Sequence, residues 1–248
     1  MIKHNLQRPL WPLVLAPLLA IAVLTPIKSV EGVTFQPKGR PTQTAGGASR
    51  GNCLSLLSVS NTKSTASNRV LTALIPSTDM ELTTAAYPTI LVDFPQTNAA
   101  TIEFSLWDDE GNGIYQTNIP LKDKAGIIGI QVPQAAGPLA VGKQYKWSVA
   151  MICDSSERQR DVVLEGFVQR VQPSADLASK LQSADPLQKA KIYAENGFWY
   201  DTAATLAELR RLNPQDQQIT SAWQELLESV GLTEHSQLPI RNCCQAQN

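Results

Sequence analysis

Hydrophobic and polar residues alternate through the middle of the chain, from about residue 53 to residue 172. In one segment Ile102, Phe104 and Leu106 alternate with Glu103 and Ser105, which is the period of a strand with one buried face. Strands are predicted at residues 54–59, 69–75, 89–94, 101–107, 113–119, 126–132, 143–153 and 162–171. Short strands separated by turn residues indicate an antiparallel β-sandwich domain over residues 53–172.

From residue 173 onward the apolar positions follow a helical period instead. Helices are predicted at residues 176–181, 187–196, 202–212 and 217–230. Asp185 followed by Pro186 is a typical helix start, Asp201 is a candidate cap for the third helix, and Gly197 and Gly231 are typical helix ends. The sequence therefore predicts an α+β protein, with a small helical domain at residues 173–232 after the sandwich.

The segments on either side of these domains contain few apolar residues. Residues 33–52 are rich in Gly and Thr and contain two prolines, which favours a flexible linker, although a basic arm that touches an anionic surface is the alternative. Residues 233–248 are predicted to form a disordered tail.

Two local patterns resemble known structural motifs. Leu139, Gly142 and Tyr145 are spaced as in the tyrosine corner of immunoglobulin-like and fibronectin-like sandwiches, where the Tyr hydroxyl bonds to the preceding loop. Residues 183–214 resemble a single tetratricopeptide unit, with Tyr193, Gly197, Trp199, Leu206 and Pro214 at the expected positions. This likeness implies a concave helix face, on which Leu187, Lys191 and Glu195 are candidate partner-binding residues.

The amino terminus has the pattern of a secretory signal peptide. Lys3 and Arg8 precede an apolar run at residues 10–24, and small residues such as Gly32 follow it. The alternative is an uncleaved anchor, but the apolar stretch is near the lower limit for spanning a membrane and contains prolines. We expect residues 1–32 to be removed and the protein to be periplasmic or extracellular.

The four cysteines fit an oxidising compartment. Cys53 and Cys153 are isolated along the chain, and export makes a disulfide between them the natural prediction. Cys243 and Cys244 are adjacent, and they could bond to each other, stay reduced or link two chains. A zinc site is disfavoured, because neither Cys-x-x-Cys spacing nor a nearby histidine accompanies them.

Composition argues against several kinds of chemistry. The chain has only two histidines, His4 and His235, so a histidine-based triad or a multi-histidine metal site is not expected. The formal net charge of −1 gives no electrostatic footprint for nucleic acid. No cofactor motif is found, and no catalytic constellation is visible.

Three short segments offer a functional and a structural interpretation. Residues 108–113 resemble the first half of a calcium loop, but Ile119 stands where a bidentate Glu is required, so a hairpin turn is favoured. Residues 154–161 could bind a small anion, although a solvated loop with internal ion pairs is the simpler interpretation. Residues 198–200 could form an aromatic platform, but Trp199 is expected in the core.

Four segments together resemble a cyanobacterial family, the domain of unknown function 928. They are residues 71–76, 109–117, 145–174 and 192–216, with the Ile152–Asp154 segment and the strand at 165–170 as the most distinctive parts. The resemblance implies a cyanobacterial exported protein, and it brings no catalytic residues with it.

These observations predict a non-enzymatic interaction or accessory module of the cell envelope that binds another, unidentified protein. The alternative is a carbohydrate-binding or hydrolytic domain with its site on loops at one end of the sandwich. That alternative predicts a concave patch with close carboxylates or exposed aromatic residues, for example Trp107 with Asp108.

Overall fold

The computed structural model describes residues 32–38, 69–76, 82–121 and 125–241. All of them belong to one compact unit. The strands in this part of the chain are β1 (Thr72–Ala73), β2 (Leu82–Thr83), β3 (Thr89–Phe94), β4 (Thr101–Trp107), β5 (Gly113–Pro120), β6 (Gly126–Gln131), β7 (Gln144–Ile152), β8 (Val162–Arg170) and β9 (Ile240–Arg241). The helices are α1 (Ala175–Ser183), α2 (Pro186–Glu195), α3 (Trp199–Leu212) and α4 (Gln217–Ser229). The predicted α+β class, with a sheet-rich region before the helices, is confirmed.

The strands form two mixed sheets. One has the order β1-β3-β6-β9 and the other the order β2-β8-β7-β4-β5. Most neighbours are antiparallel, but β2 pairs with β8 and β9 pairs with β6 in parallel. The expectation of purely antiparallel sheets is therefore wrong, because two-residue strands are too short to produce the alternation from which strands were predicted. The immunoglobulin-like sandwich and the tetratricopeptide-like unit stay predictions.

Alternation located the long strands well. The segments predicted from residue 89 to residue 171 form β3 to β8, with ends that differ by one residue at most. The segment predicted at 69–75 contributes only the two-residue strand β1. The strand predicted at 54–59 lies outside the described residues.

The helix boundaries follow from the predicted caps with one exception. The Asp185 side chain accepts a hydrogen bond from the Gln188 amide at the start of α2, and Gly197 takes a positive φ of 75° after its end. The prediction that Asp201 caps the third helix is wrong. Helix α3 already begins at Trp199, and Asp201 in its first turn accepts hydrogen bonds from Thr84 instead.

Buried tryptophans join the helices to the strands in a common core. Trp199 of α3 is 1% exposed, and its indole N–H donates to the Leu74 carbonyl at 2.8 Å. Trp147 of β7 is fully buried and donates to the Tyr200 hydroxyl at 2.8 Å, and that hydroxyl donates to the Phe167 carbonyl of β8. The predicted boundary at residue 172 therefore does not separate two cores, and the core interpretation of Trp199 is confirmed.

Both ends of the described chain are packed. In the predicted linker, Val33 and Phe35 are 1% and 5% exposed, so the expectation of flexibility is wrong for residues 33–38. In the predicted disordered tail, His235 is 5% exposed and β9 pairs with β6, so that expectation is wrong for residues 233–241. A few apolar residues suffice in both places because they enter a core built by the rest of the chain.

The predicted tyrosine-corner contact is confirmed. The Tyr145 hydroxyl at the start of β7 accepts a hydrogen bond from the Ala140 amide at 2.9 Å. Arg170 of β8 donates to the Leu139 carbonyl at 2.7 Å, so two side chains hold the same loop.

Among the described residues, no helix has both the length and the apolar character needed to cross a membrane.

Candidate functional site

Trp107 lies on the outward face of the five-stranded sheet, at the end of β4. The side chains of Ile102, Phe104 and Leu106 are fully buried, so alternation places Trp107 on the opposite face. Trp107 pairs in register with Lys146 of β7, and Lys146 pairs with Phe167 of β8. Because residues directly opposite each other share a face, these three side chains lie side by side.

Two depressions of about 430 and 240 Å³ border Trp107. Together we call them the Trp107 surface. The larger one is lined by Trp107, Asp108, Asp109, Gly111, Gln144, Tyr145, Lys146 and Phe167, and the smaller one by Trp107, Ser105, Gly113, Ile114, Tyr115 and Gln116. The larger volume is within the range of small-molecule sites.

The turn beside Trp107 is held by Asp108. Its carboxylate accepts hydrogen bonds from the Glu110 and Asn112 amides at 3.0 and 2.8 Å and from the Asn112 side chain at 2.9 Å. Gly111 takes a φ of 84°, which favours glycine. The predicted hairpin turn is confirmed, and Ile119, at the position that a calcium loop reserves for Glu, has its side chain in the core at 3% exposure.

Charged pairs surround the indole ring. The Lys146 ammonium lies 5.5 Å from the ring centroid of Trp107 and 2.7 Å from Oε1 of Glu165. The Lys143 ammonium pairs with Oδ2 of Asp109 at 2.9 Å. Within the described ranges, no group accepts a hydrogen bond from the Trp107 indole N–H. The site thus combines an apolar ring, a donor on its edge and charged side chains of both signs.

The protonation state of Asp108 follows from the hydrogen bonds of its turn. The hydrogen bond from the Asn112 side chain is the main cause of a lowered pKa at Asp108, so that its carboxyl is ionised at neutral pH. The hydrogen bond to Asp109 likewise raises the pKa of Lys143. A glycosidase acid needs the opposite shift, a carboxyl pKa raised by its surroundings.

The polar segment 154–161 forms a loop held by ion pairs. Arg158 bridges Glu103 and Asp161, and Arg160 pairs with Glu157 at 3.3 Å. Asp161 is 6% exposed and also accepts a hydrogen bond from the Cys153 amide at 3.2 Å. The structural interpretation of this segment, a loop with internal ion pairs, is confirmed.

His235 belongs to a buried cluster that sequence reasoning missed. Its Nδ1 lies 3.1 Å from Oδ2 of Asp93, which is 1% exposed and also pairs with Arg69. The Nε2 atom is buried and has no hydrogen-bond partner in the part of the chain that the structure describes, although Oε1 of Glu234 lies 3.3 Å away without hydrogen-bond geometry. This aspartate–histidine pair ties the C-terminal segment to β3.

The predicted partner-binding residues on α2 are only partly brought together. Leu187 and Lys191 line a groove of about 310 Å³, together with Asp185, Pro186, Gln188, Leu209, Asp216, Gln218 and Ile219. Glu195 is exposed and does not line this groove. The neighbouring part of the face is occupied, because the carbonyl of the buried Ala194 accepts a hydrogen bond from the Gln36 amide of the N-terminal segment.

Several predictions concern residues outside the described part of the chain. Cys53, Cys243, Cys244 and the leader up to residue 31 fall there. The disulfide between Cys53 and Cys153 therefore stays a prediction, as do the state of the tail cysteines and the signal peptide.

The sequence alone identified some residues of the Trp107 surface and missed others. Trp107 and Asp108 were candidates, because an aromatic residue at a strand end precedes an acidic turn. The places of Lys146 and Phe167 beside them depend on the register of β4 with β7 and of β7 with β8. Lys146 lies 146−107 = 39 positions after Trp107, and Phe167 lies 167−146 = 21 positions after Lys146. A single strand's alternation does not contain that information.

Comparison with known proteins gives a family and no activity. The family model described as Domain of Unknown Function (DUF928) matches residues 45–240, which is most of the chain. A search of curated proteins returns no significant match.

Proposed function

The chain belongs to the family of domain of unknown function 928, and we propose that it is an exported, non-enzymatic binding module of the cell envelope with a saccharide as ligand. The observation that carries the proposal is the Trp107 surface, where a half-buried indole borders two depressions lined by polar and apolar surface in nearly equal parts. The proposal joins the predicted accessory role to the ligand class that this geometry fits best.

A saccharide has apolar C–H patches and many hydroxyls, so it needs an apolar surface beside donors and acceptors. Trp107 and Phe167 supply the apolar surface, and indole and phenyl rings do so at low conformational cost. Asp108 and Asp109 supply carboxylate acceptors, and Lys146 supplies donors. Carboxylates and ammonium groups at the same site favour a neutral ligand, since a strongly charged one would meet a like charge.

The same geometry argues for binding without bond cleavage. Asp108 has a lowered pKa and is engaged by its own turn, so it holds no proton to donate. Within the described ranges, burial raises the pKa of one carboxyl, that of Asp201, which is hydrogen-bonded to Thr84 and lines neither depression. The lowered pKa of Asp108 is the opposite of the shift that a glycosidase acid needs, which supports binding at the Trp107 surface over hydrolysis.

The test is calorimetric titration of the purified protein with soluble oligosaccharides of glucose, N-acetylglucosamine and galactose. We expect saturable binding of at least one of them and a loss of affinity of about tenfold or more in Trp107→Ala, equivalent to about 1.4 kcal/mol. Leu212→Ala is the control, because Leu212 is a 59% exposed apolar residue on α3, away from the site. Equal affinity in the two variants would overturn the assignment of the site.

The groove beside α2 supports a second candidate function, the docking of an envelope protein. Leu187, Leu209 and Ile219 provide apolar surface there, and Asp185, Lys191 and Asp216 provide charge. This arrangement fits a short segment of a partner that inserts one apolar side chain between charged neighbours.

A matched pair of variants tests this second function. Leu187→Asp places a charge in the groove, whereas Glu195→Ala changes the same helix outside it. In affinity purification from envelope extracts, we expect a stoichiometric partner that Leu187→Asp loses and Glu195→Ala retains. Recovery of no stoichiometric partner, or the same partner with both variants, would contradict docking in this groove.

A further inference from the structure

Residues 32–38 form an extended segment that is built into the helical part of the molecule. The Phe35 ring packs edge-on against Trp199 of α3, with 5.0 Å between the ring centroids. The Phe35 amide donates to Oγ of Ser229 on α4 at 3.1 Å, and the Gln36 amide donates to the Ala194 carbonyl on α2 at 3.0 Å. The segment is thus held by three helices.

The first buried residue of this segment is Val33. Its side chain is 1% exposed, whereas Gly32 before it is exposed. The Val33 backbone nitrogen donates to Oε2 of Glu225 on α4 at 3.1 Å. A Cβ atom placed on Gly32 would clash with the same oxygen, so the carboxylate lies directly against the Gly32–Val33 peptide.

From this placement we infer that Val33 is the first residue of the mature protein and that its α-ammonium group binds the Glu225 carboxylate. The step is hydrolysis of the Gly32–Val33 peptide bond by a signal peptidase. The hydroxide of water goes to the Gly32 carbonyl carbon and leaves a carboxylate there. The Val33 nitrogen takes up protons and becomes an ammonium group.

Sequence and structure point to the same bond for separate reasons. A signal peptidase requires a small residue before the cut, and Gly32 meets that requirement after the apolar run at residues 10–24. In the structure the side chain of Val33, immediately after that bond, is buried. Cleavage farther along, after Val33 or Thr34, would remove a residue from the core.

The charge of the new terminus matches its surroundings. An α-amino group has an unperturbed pKa of about 7.7–8.0, so it is charged at neutral pH. An ammonium–carboxylate hydrogen bond is stronger than the bond that an amide N–H makes to the same oxygen. The charged side chains on the elements around the segment include Glu225 and Glu228 on α4, Glu195 and Lys191 on α2, and Lys38 at its far end. Of these, Glu225 accepts the hydrogen bond from Val33.

This ion pair has a definite pH dependence. The carboxylate raises the folded-state pKa of the α-ammonium above its unfolded value. Its stabilising effect is therefore complete below about pH 7.7 and is lost as pH rises through the higher folded-state value. An uncut peptide at this position has no titrating nitrogen, so its hydrogen bond to Glu225 would not change over the same pH range.

The experiment expresses the full-length precursor in an exporting bacterial host and purifies the exported protein. Intact-mass measurement reads the first residue, and thermal melts compare the wild-type protein with Glu225→Gln and with Glu228→Gln, an exposed glutamate on the same helix. We expect a mass that begins at Val33. At pH 6.5 we expect a midpoint about 2–4 °C lower in Glu225→Gln, a difference that narrows at pH 10, and little change in Glu228→Gln.

Three results would overturn the inference. They are a mature protein that begins at another residue, an exported protein that keeps its leader, and a Glu225→Gln midpoint difference that is the same at both pH values. None of these results bears on saccharide binding, so this inference and the proposed function fail independently.

Discussion

At the scale of single residues, Asp201 shows how position overrides a local signal. Its place before a helical stripe predicted a cap, but the first turn of α3 carries it against β2, where the Thr84 amide and hydroxyl donate to its two oxygens at 3.0 and 2.6 Å. Burial is the main cause of the raised pKa of Asp201, and the hydrogen bonds from Thr84 oppose it. Protonation of this carboxyl is therefore more favourable in the folded protein than in the unfolded chain.

This shift gives Asp201 a pH effect of a stated sign. Because the folded-state pKa lies above the unfolded value of about 3.9, the stabilisation from protonated Asp201 is complete below that value and is lost as pH rises through the folded-state pKa. Asp201→Asn removes the charge and keeps an acceptor for the Thr84 amide. We expect the variant to be at least as stable as the wild-type protein at pH 7, and its advantage to shrink as pH falls.

The measurement is the free energy of unfolding in urea at several pH values. Asp201→Ala is the control, because it leaves the Thr84 donors without their partner and should cost about 1–3 kcal/mol. If Asp201→Asn were as destabilised as Asp201→Ala at pH 7, the site would need the carboxylate charge and the account of the raised pKa would be wrong.

At the scale of elements, the sequence predicted the strands and helices that have a repeating apolar pattern. It missed the segments that are too short to have one. The six long strands β3 to β8 and all four helices were predicted because each has several turns or alternations of apolar residues. The strands β2 and β9 have two residues each, and no periodicity exists over such a length. Residues 32–38 were missed because Val33 and Phe35 become core residues only through contacts with helices more than 150 residues away.

The N-terminal segment leads to a prediction at this scale. Phe35 is 5% exposed and packs against Trp199, so Phe35→Ala should leave a cavity and lower the free energy of unfolding by about 3–5 kcal/mol. Thr34 is exposed between the two buried residues, and Thr34→Ala should change it by less than about 0.5 kcal/mol. Urea denaturation followed by tryptophan fluorescence compares the two, and equally small effects would show that the segment is not part of the core.

At the scale of the whole molecule, the helices and sheets share one core, and the Trp107 surface lies on the outward face of a sheet. The core draws on side chains from both ends of the described chain, from Val33 to Ile240. Trp107, Lys146 and Phe167 are half-buried on the outward face of this sheet, whereas Trp147 and Leu106 are buried on its other face. The side chains proposed to bind a ligand are therefore different from those that form the core.

The central claim is that this protein holds a saccharide and leaves its bonds intact. The most direct measurement incubates the purified, processed protein with the oligosaccharide that binds it best, records the binding isotherm, and then analyses the sugar by mass spectrometry. We predict saturable binding with the oligosaccharide recovered at its original length after prolonged incubation. Shortened or modified sugar, or the absence of saturable binding to every oligosaccharide by the folded protein, would contradict the claim.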